Sequence, residues 1–184
     1  MRKVFAVALL ALPFAITSFA QTNFAQTDSA QPALGTVATW SNLAGVITSP
    51  GVSNKVGGIG SGTTPWTTSG GSATVTSAGT AAFAVKGLVL DGGNSSGTPG
   101  AVTSVKGTLV CNPGAADQVV LDTAAVPLDI QGNANFPPAA EPGNAHSAGN
   151  LEGSLPAACG NPIFLIRVVP KNVWIATGAA RSIK

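Results

Sequence analysis

The chain carries very little charge. Acidic and basic residues make up 9% of its 184 residues, whereas about a quarter is usual for soluble domains. Solubility must therefore depend on Ser, Thr, Asn and Gln side chains and on exposed backbone. The sequence has no basic stripe and no arginine cluster, which argues against nucleic acid as a partner.

The sequence also has few residues of the kinds that catalyse reactions or bind metals. Its single histidine, His146, lies in a loop between Glu141 and Glu152, and we expect a solvated loop residue there. Zinc and copper sites usually draw on several His or Cys ligands, and no Gly-x-Ser-x-Gly strand–turn–helix context presents a nucleophile. A carboxylate pair for glycoside hydrolysis stays open as a less favoured alternative. We predict a non-enzymatic protein with no catalytic residue, no metal and no cofactor.

One loop offers a weaker candidate for metal binding. The segment 91–100 contains Asp91 and Asn94, but it lacks the alternating Asp/Asn spacing of a dedicated calcium loop. Asn94-Ser-Ser96 also matches a glycosylation acceptor. Neither pattern is specific, and we predict no calcium site here.

The N-terminus has the layout of a secretory signal peptide. Met1-Arg-Lys3 is basic, residues 4–19 are mostly apolar, and Ser18 and Ala20 place small residues before a cleavage site. We predict a signal peptide over residues 1–20 with cleavage near Ala20. The protein would then be secreted, periplasmic or on the cell surface. No second apolar segment is long enough to span a membrane, so no membrane span is expected.

Only two cysteines are present, Cys111 and Cys159. In an exported protein a pair of this kind is usually oxidised, and we predict that the two form a disulfide. Closing the intervening loop would contribute about 4 kcal/mol in the chain-entropy model.

The region from residue 72 to residue 178 reads as a series of short strands. Residues 101–111 alternate, with Val105, Gly107, Leu109 and Cys111 on one face. Residues 163–169 form an apolar run typical of a central strand, and residues 173–177 would pair with it as a terminal hairpin. We predict an all-β domain over 72–178, an antiparallel β-sandwich of about seven or eight short strands, immunoglobulin-like in architecture. A small β-barrel is the alternative, and residues 179–184 would be a tail.

Residues 21–71 are rich in Gly, Ser, Thr and Ala. This composition favours a flexible arm, with loosely docked edge strands as the alternative because of apolar residues such as Trp40 and Trp66. An exposed pair of tryptophans could also contact a sugar or a partner protein. Trp40 and Trp66 are therefore the candidate ligand-contact residues.

Arg167 interrupts the apolar run over 163–169, where an unpaired charge is costly. We expect a structural ion pair with a carboxylate such as Asp129 or Glu152.

The sequence favours a secreted, non-catalytic β-sandwich that acts as a binding or surface-structural module, with an unknown protein or glycan as partner. The alternative is a self-assembling extracellular subunit, a homo-oligomer that uses its N-terminal arm or pairs its edge strands.

Overall fold

Antiparallel β-structure makes up the fold. The structure is a computed structural model and describes residues 36–137, 149–179 and 182–183. Within these ranges there is no helix, and so none that is long and apolar enough to cross a membrane. The predicted all-β class is confirmed. The predicted signal peptide, Glu141 and His146 lie outside the described residues.

The strands are more numerous and shorter than predicted. In chain order they are β1 (Thr36–Trp40), β2 (Ala44–Gly45), β3 (Lys55–Val56), β4 (Ile59–Gly60), β5 (Trp66–Thr67), β6 (Gly70–Thr76), β7 (Ala81–Lys86), β8 (Val89–Leu90), β9 (Ser104–Cys111), β10 (Val119–Thr123), β11 (Val126–Pro127), β12 (Ala134–Phe136), β13 (Leu151–Glu152), β14 (Ile163–Val168), β15 (Trp174–Ala179) and β16 (Ser182–Ile183). The expected seven or eight strands are too few because many of the strands have only two residues. Such short strands produce no run of alternating residues from which they could be predicted.

Two sheets form the body of the fold. The first has the order β12-β7-β6-β1-β16, and the second has the order β13-β10-β9-β14-β15-β2, with β11 also paired to β9. The predicted strand over 101–111 is β9, and the predicted terminal hairpin is β14–β15. β14 lies between β9 and β15, as expected of a central strand.

Aromatic side chains join the inner faces of the two sheets. The ring of Phe164 on β14 lies 5.3 Å from that of Trp40 on β1 and 5.9 Å from that of Phe83 on β7. Gly107 on β9 faces the rings of Phe164 and Phe83. Sheets that pack face to face around such a core form a sandwich. Among the described strands, the two sheets stay open and do not close into the alternative barrel.

Residues 36–71 form paired strands and not the expected flexible arm; the alternative of docked edge strands fits β2, whereas β1 lies inside its sheet. β1 lies between β6 and β16, and Trp40 and Leu43 are fully buried. The predicted domain boundary at residue 72 falls inside β6, and residues 182–183 of the predicted tail pair with β1. The Gly, Ser and Thr content of this region is typical of a flexible linker and does not indicate that Trp40 and Leu43 belong to the core.

The hairpin β3–β4 covers part of the outer face of the second sheet. Gln118 Nε2 donates a hydrogen bond of 2.8 Å to Gly57 O. A Cβ on Gly57 would lie 2.8 Å from Val110 Cγ1, and Val110 is fully buried although it faces outward from the sandwich. This third layer explains why β9 is apolar on both faces at its C-terminal end.

The predicted disulfide between Cys111 and Cys159 is confirmed. It ties the end of β9 to the loop before β14. Asn112 reinforces the link, since its Oδ1 accepts a hydrogen bond of 2.7 Å from Gly160 N. A disulfide is compatible with an oxidising compartment outside the cytoplasm.

Candidate ligand-binding site

A cavity of about 310 Å³ lies beside Trp66. We call it the Trp66 cavity. Its apolar wall combines residues from β5, β8, the loop before β9 and the β14–β15 hairpin; the larger side chains are those of Trp66, Leu90, Val102, Val168, Val173 and Ile175. Ligand sites of small molecules usually have this size and this predominantly apolar lining.

Backbone hydrogen bonds fix Trp66 in the cavity wall. Trp66 pairs with Leu90 in the small sheet of β5 and β8, and Trp66 N donates to Val46 O at 2.9 Å. Gly45 permits this approach, because a Cβ at that position would collide with the carbonyl group of Trp66. Trp66 is only 5% exposed, so its ring is part of the wall and does not project from the surface.

Residues 61–64 and Lys171 supply the polar part of the lining. Gly62 N donates to Trp174 O at 2.8 Å and Ser61 N donates to Asn54 O at 2.7 Å, which fixes the 61–64 segment along β15. Lys171 is exposed in the turn between β14 and β15. That turn is closed by a hydrogen bond of 2.7 Å from Asn172 N to Val168 O. The polar groups therefore stand on well-anchored backbone.

Two further cavities adjoin the Trp66 cavity. One of about 300 Å³ shares Trp66 and is mainly polar, with Thr67, Ser69 and Asp91 in its lining. The other, of about 360 Å³, shares Val102 and is mainly apolar, and Ile130 at its edge is 74% exposed. The Trp66 cavity therefore shares part of its wall with each of the other two.

The structure separates the two tryptophans predicted to contact a ligand. Trp66 lines a cavity, but Trp40 is fully buried between the sheets, so its prediction as a surface contact is wrong. Nε1 of Trp40 has no hydrogen-bond partner within the described ranges. Trp40 therefore acts through the packing of its ring against Phe164.

Arg167 forms the predicted ion pair, but its partner is Asp122. Arg167 Nη1 lies 3.1 Å from Asp122 Oδ1, and Lys106 Nζ lies 2.7 Å from Asp122 Oδ2. Thr108 Oγ1 also donates to Asp122 Oδ1 at 2.6 Å. The expected partners, Asp129 and Glu152, were wrong. The strand order places β10, which carries Asp122, next to β9 and only one strand away from β14, which carries Arg167.

The environment of Asp122 lowers the pKa of its carboxyl group. Burial acts in the opposite direction and raises this pKa. The hydrogen bonds from Lys106 and Thr108 and the positive charges of Arg167 and Lys106 together outweigh burial. Because these partners lie on β9 and β14, the carboxylate joins its own strand β10 to both on the outer face of the second sheet.

The other acidic residues are dispersed. Among the residues that the structure describes, no three His, Cys, Asp or Glu side chains lie close enough to hold a metal ion. Asp129 organises its own turn, where a hydrogen bond from the backbone of Asn133 is the main cause that lowers its pKa. Asp117 accepts a hydrogen bond of 2.9 Å from Asn112 Nδ2. These contacts give both carboxylates a structural part.

Sequence reasoning missed most of the Trp66 cavity. Leu90, Val102 and Val173 are ordinary strand or loop residues in the sequence, and only the fold brings them to Trp66.

Comparison of the chain with protein-family models, curated proteins and solved structures finds no match.

Proposed function

We propose that this protein is an exported, non-catalytic binding module that holds a small, mostly apolar ligand in the Trp66 cavity. The cavity itself carries the proposal: about 310 Å³ lined mainly by apolar side chains, with a smaller polar part that includes residues 61–64 and Lys171. A glycan or protein partner would place one terminal group in this space.

Export and the lack of catalysis have separate support. The N-terminal sequence has the pattern of a signal peptide, and the disulfide suits an oxidising compartment. The carboxylates of Asp117, Asp122 and Asp129 are engaged with neighbouring protein groups and do not line the Trp66 cavity. Binding is therefore better supported than turnover.

The first test is nuclear magnetic resonance of the ¹⁵N-labelled, oxidised protein titrated with octanol. We expect a saturable shift of the Trp66 indole N–H resonance, which a Trp66→Phe variant would identify. The indole resonance of Trp40 should move less, because Trp40 lies in the core between the sheets.

Position 62 provides a blocking variant and its control. A Cβ on Gly62 would lie 3.4 Å from Ile175 Cγ2, so the Gly62→Ala variant should fold and bind octanol normally. Gly62→Leu should fill the cavity and abolish the shift. Octanol-induced shifts that persist unchanged in Gly62→Leu would show that binding occurs elsewhere and would contradict the proposal.

A further inference from the structure

The described lining of the Trp66 cavity carries a positive charge and no negative charge. Among the residues that the structure describes, Lys171 is the only ionisable one in its lining. Over the described parts of the chain, the ion pairs are those of Lys106 and Arg167 with Asp122, and Lys171 takes no part in them. Two acidic residues line the neighbouring cavities, Asp91 the polar one and Asp129 the apolar one, and neither is among the residues that line the Trp66 cavity. An ammonium group without a carboxylate partner favours an anionic ligand.

The remaining polar groups of the cavity include unused donors. Nε1 of Trp66 lies 3.7 Å from the position that a Cβ on Gly62 would take, and no hydrogen bond between described residues uses this N–H. An indole N–H can only donate. The hydroxyl of Ser61, in contrast, is committed, since it accepts from Asn54 N and donates to Gly62 O. The free donor at Trp66 would suit an acceptor oxygen and would offer nothing to an ammonium group.

The size of the cavity limits the ligand. A volume of about 310 Å³ corresponds to about ten water molecules at the density of the liquid. A short aliphatic chain or a single aromatic ring with one polar head group would fill it, whereas a long-chain lipid would extend beyond it.

We infer that the Trp66 cavity selects small amphipathic carboxylates. The apolar body would lie among Trp66, Leu90 and Val102, and the carboxylate would lie at the rim by Lys171. This inference rests on the proposed function, because it names the ligand class of the same site.

Three probes of equal chain length test the inference: octanoate, octanol and octylammonium, each followed by the Trp66 indole resonance. Since Lys171 is exposed, its charge should make octanoate bind about two- to fivefold more tightly than octanol. Octylammonium should bind more weakly than octanol. Added salt should reduce the preference for octanoate, because the interaction is at the surface.

The matched variants are Lys171→Gln and Lys86→Gln. Lys86 is an exposed residue on β7 and does not line the cavity. The preference for octanoate over octanol should disappear in Lys171→Gln and persist in Lys86→Gln, while octanol binds equally well to both variants.

The outcomes separate the inference from the proposed function. Equal affinities for octanoate and octanol, unchanged by Lys171→Gln, would overturn the carboxylate preference and leave the binding function intact. If none of the three probes shifts the Trp66 resonance, both the inference and the proposed function are wrong.

Discussion

At position 107 the two sheets approach so closely that only a glycine fits. A Cβ there would lie 2.5 Å from Phe164 Cζ and 2.9 Å from Phe83 Cδ1. Both rings belong to the buried core and cannot turn away into solvent. We expect Gly107→Ala to lower the free energy of unfolding by about 1–3 kcal/mol, the usual cost of overpacking. Urea unfolding of the oxidised protein, followed by circular dichroism, would measure the change.

Gly70 is the matched control for this substitution. It also lies in a strand, β6, but no atom lies within 4 Å of the Cβ that alanine would add. Gly70→Ala should therefore be neutral or slightly stabilising, because it mainly restricts the unfolded chain. A loss of stability as large in Gly70→Ala as in Gly107→Ala would show that general strand effects, and not the contact between the sheets, explain the need for glycine.

Asp122 links three adjacent strands of the second sheet. It lies on β10 and contacts β9 through Lys106 and Thr108 and β14 through Arg167. Asp122→Asn removes the negative charge and leaves two cations facing a neutral amide. We expect the free energy of unfolding near neutral pH to fall by about 1–3 kcal/mol. Thermal or urea unfolding would measure it.

The contribution of Asp122 to the free energy of unfolding should decrease at acidic pH. The pKa of Asp122 in the folded protein lies below its ordinary value of 3.8, so the folded state favours the ionised carboxylate. Its stabilisation is fully present above the unfolded pKa and is lost as the pH falls through the folded pKa. Acidification below about pH 4 should therefore reduce the stability of the native protein more than that of Asp122→Asn.

Asp91→Asn is the control for the pH experiment, because Asp91 is exposed and takes part in no ion pair within the described ranges. It should keep the pH dependence of the native protein. Some acid sensitivity should also remain in Asp122→Asn, since the pKa of Asp129 is lowered as well. Parallel stability curves for the native protein and Asp122→Asn would contradict the assigned role.

The same strands show what the sequence can and cannot predict. β9 and β14 were predictable because their alternation or apolar run is local, and the disulfide followed from the cysteine pair and the export signal. β1 was hidden because only two of its residues, Ala38 and Trp40, are fully buried in a stretch rich in small residues. The register of the strands could not be predicted either, because no local pattern places Asp122 beside Arg167, or Val102 and Val173 beside Trp66.

For the whole molecule, the arrangement of long and short strands bears on assembly. The longest strands, β6 and β9, are both internal. The first sheet ends in β12 and β16 and the second in β13 and β2, strands of three or two residues. Beyond β2, the outer edge of β15 is also occupied, since Val46 N donates to Ile175 O at 2.9 Å. Short edges of this kind oppose pairing with another chain.

We therefore expect the oxidised protein to remain monomeric in sedimentation velocity from micromolar to near-millimolar concentration. This result would favour the binding module over the self-assembling subunit. The arm proposed for assembly is already part of the fold over residues 36–71, where β1 and β2 pair within the two sheets. Growth into larger species with concentration would favour the subunit. An Asn135→Lys variant would then locate the contact, because Asn135 is an exposed residue of the edge strand β12 and a lysine there opposes edge pairing. Assembly that Asn135→Lys suppresses would use the β12 edge, and assembly that it leaves unchanged would require another surface.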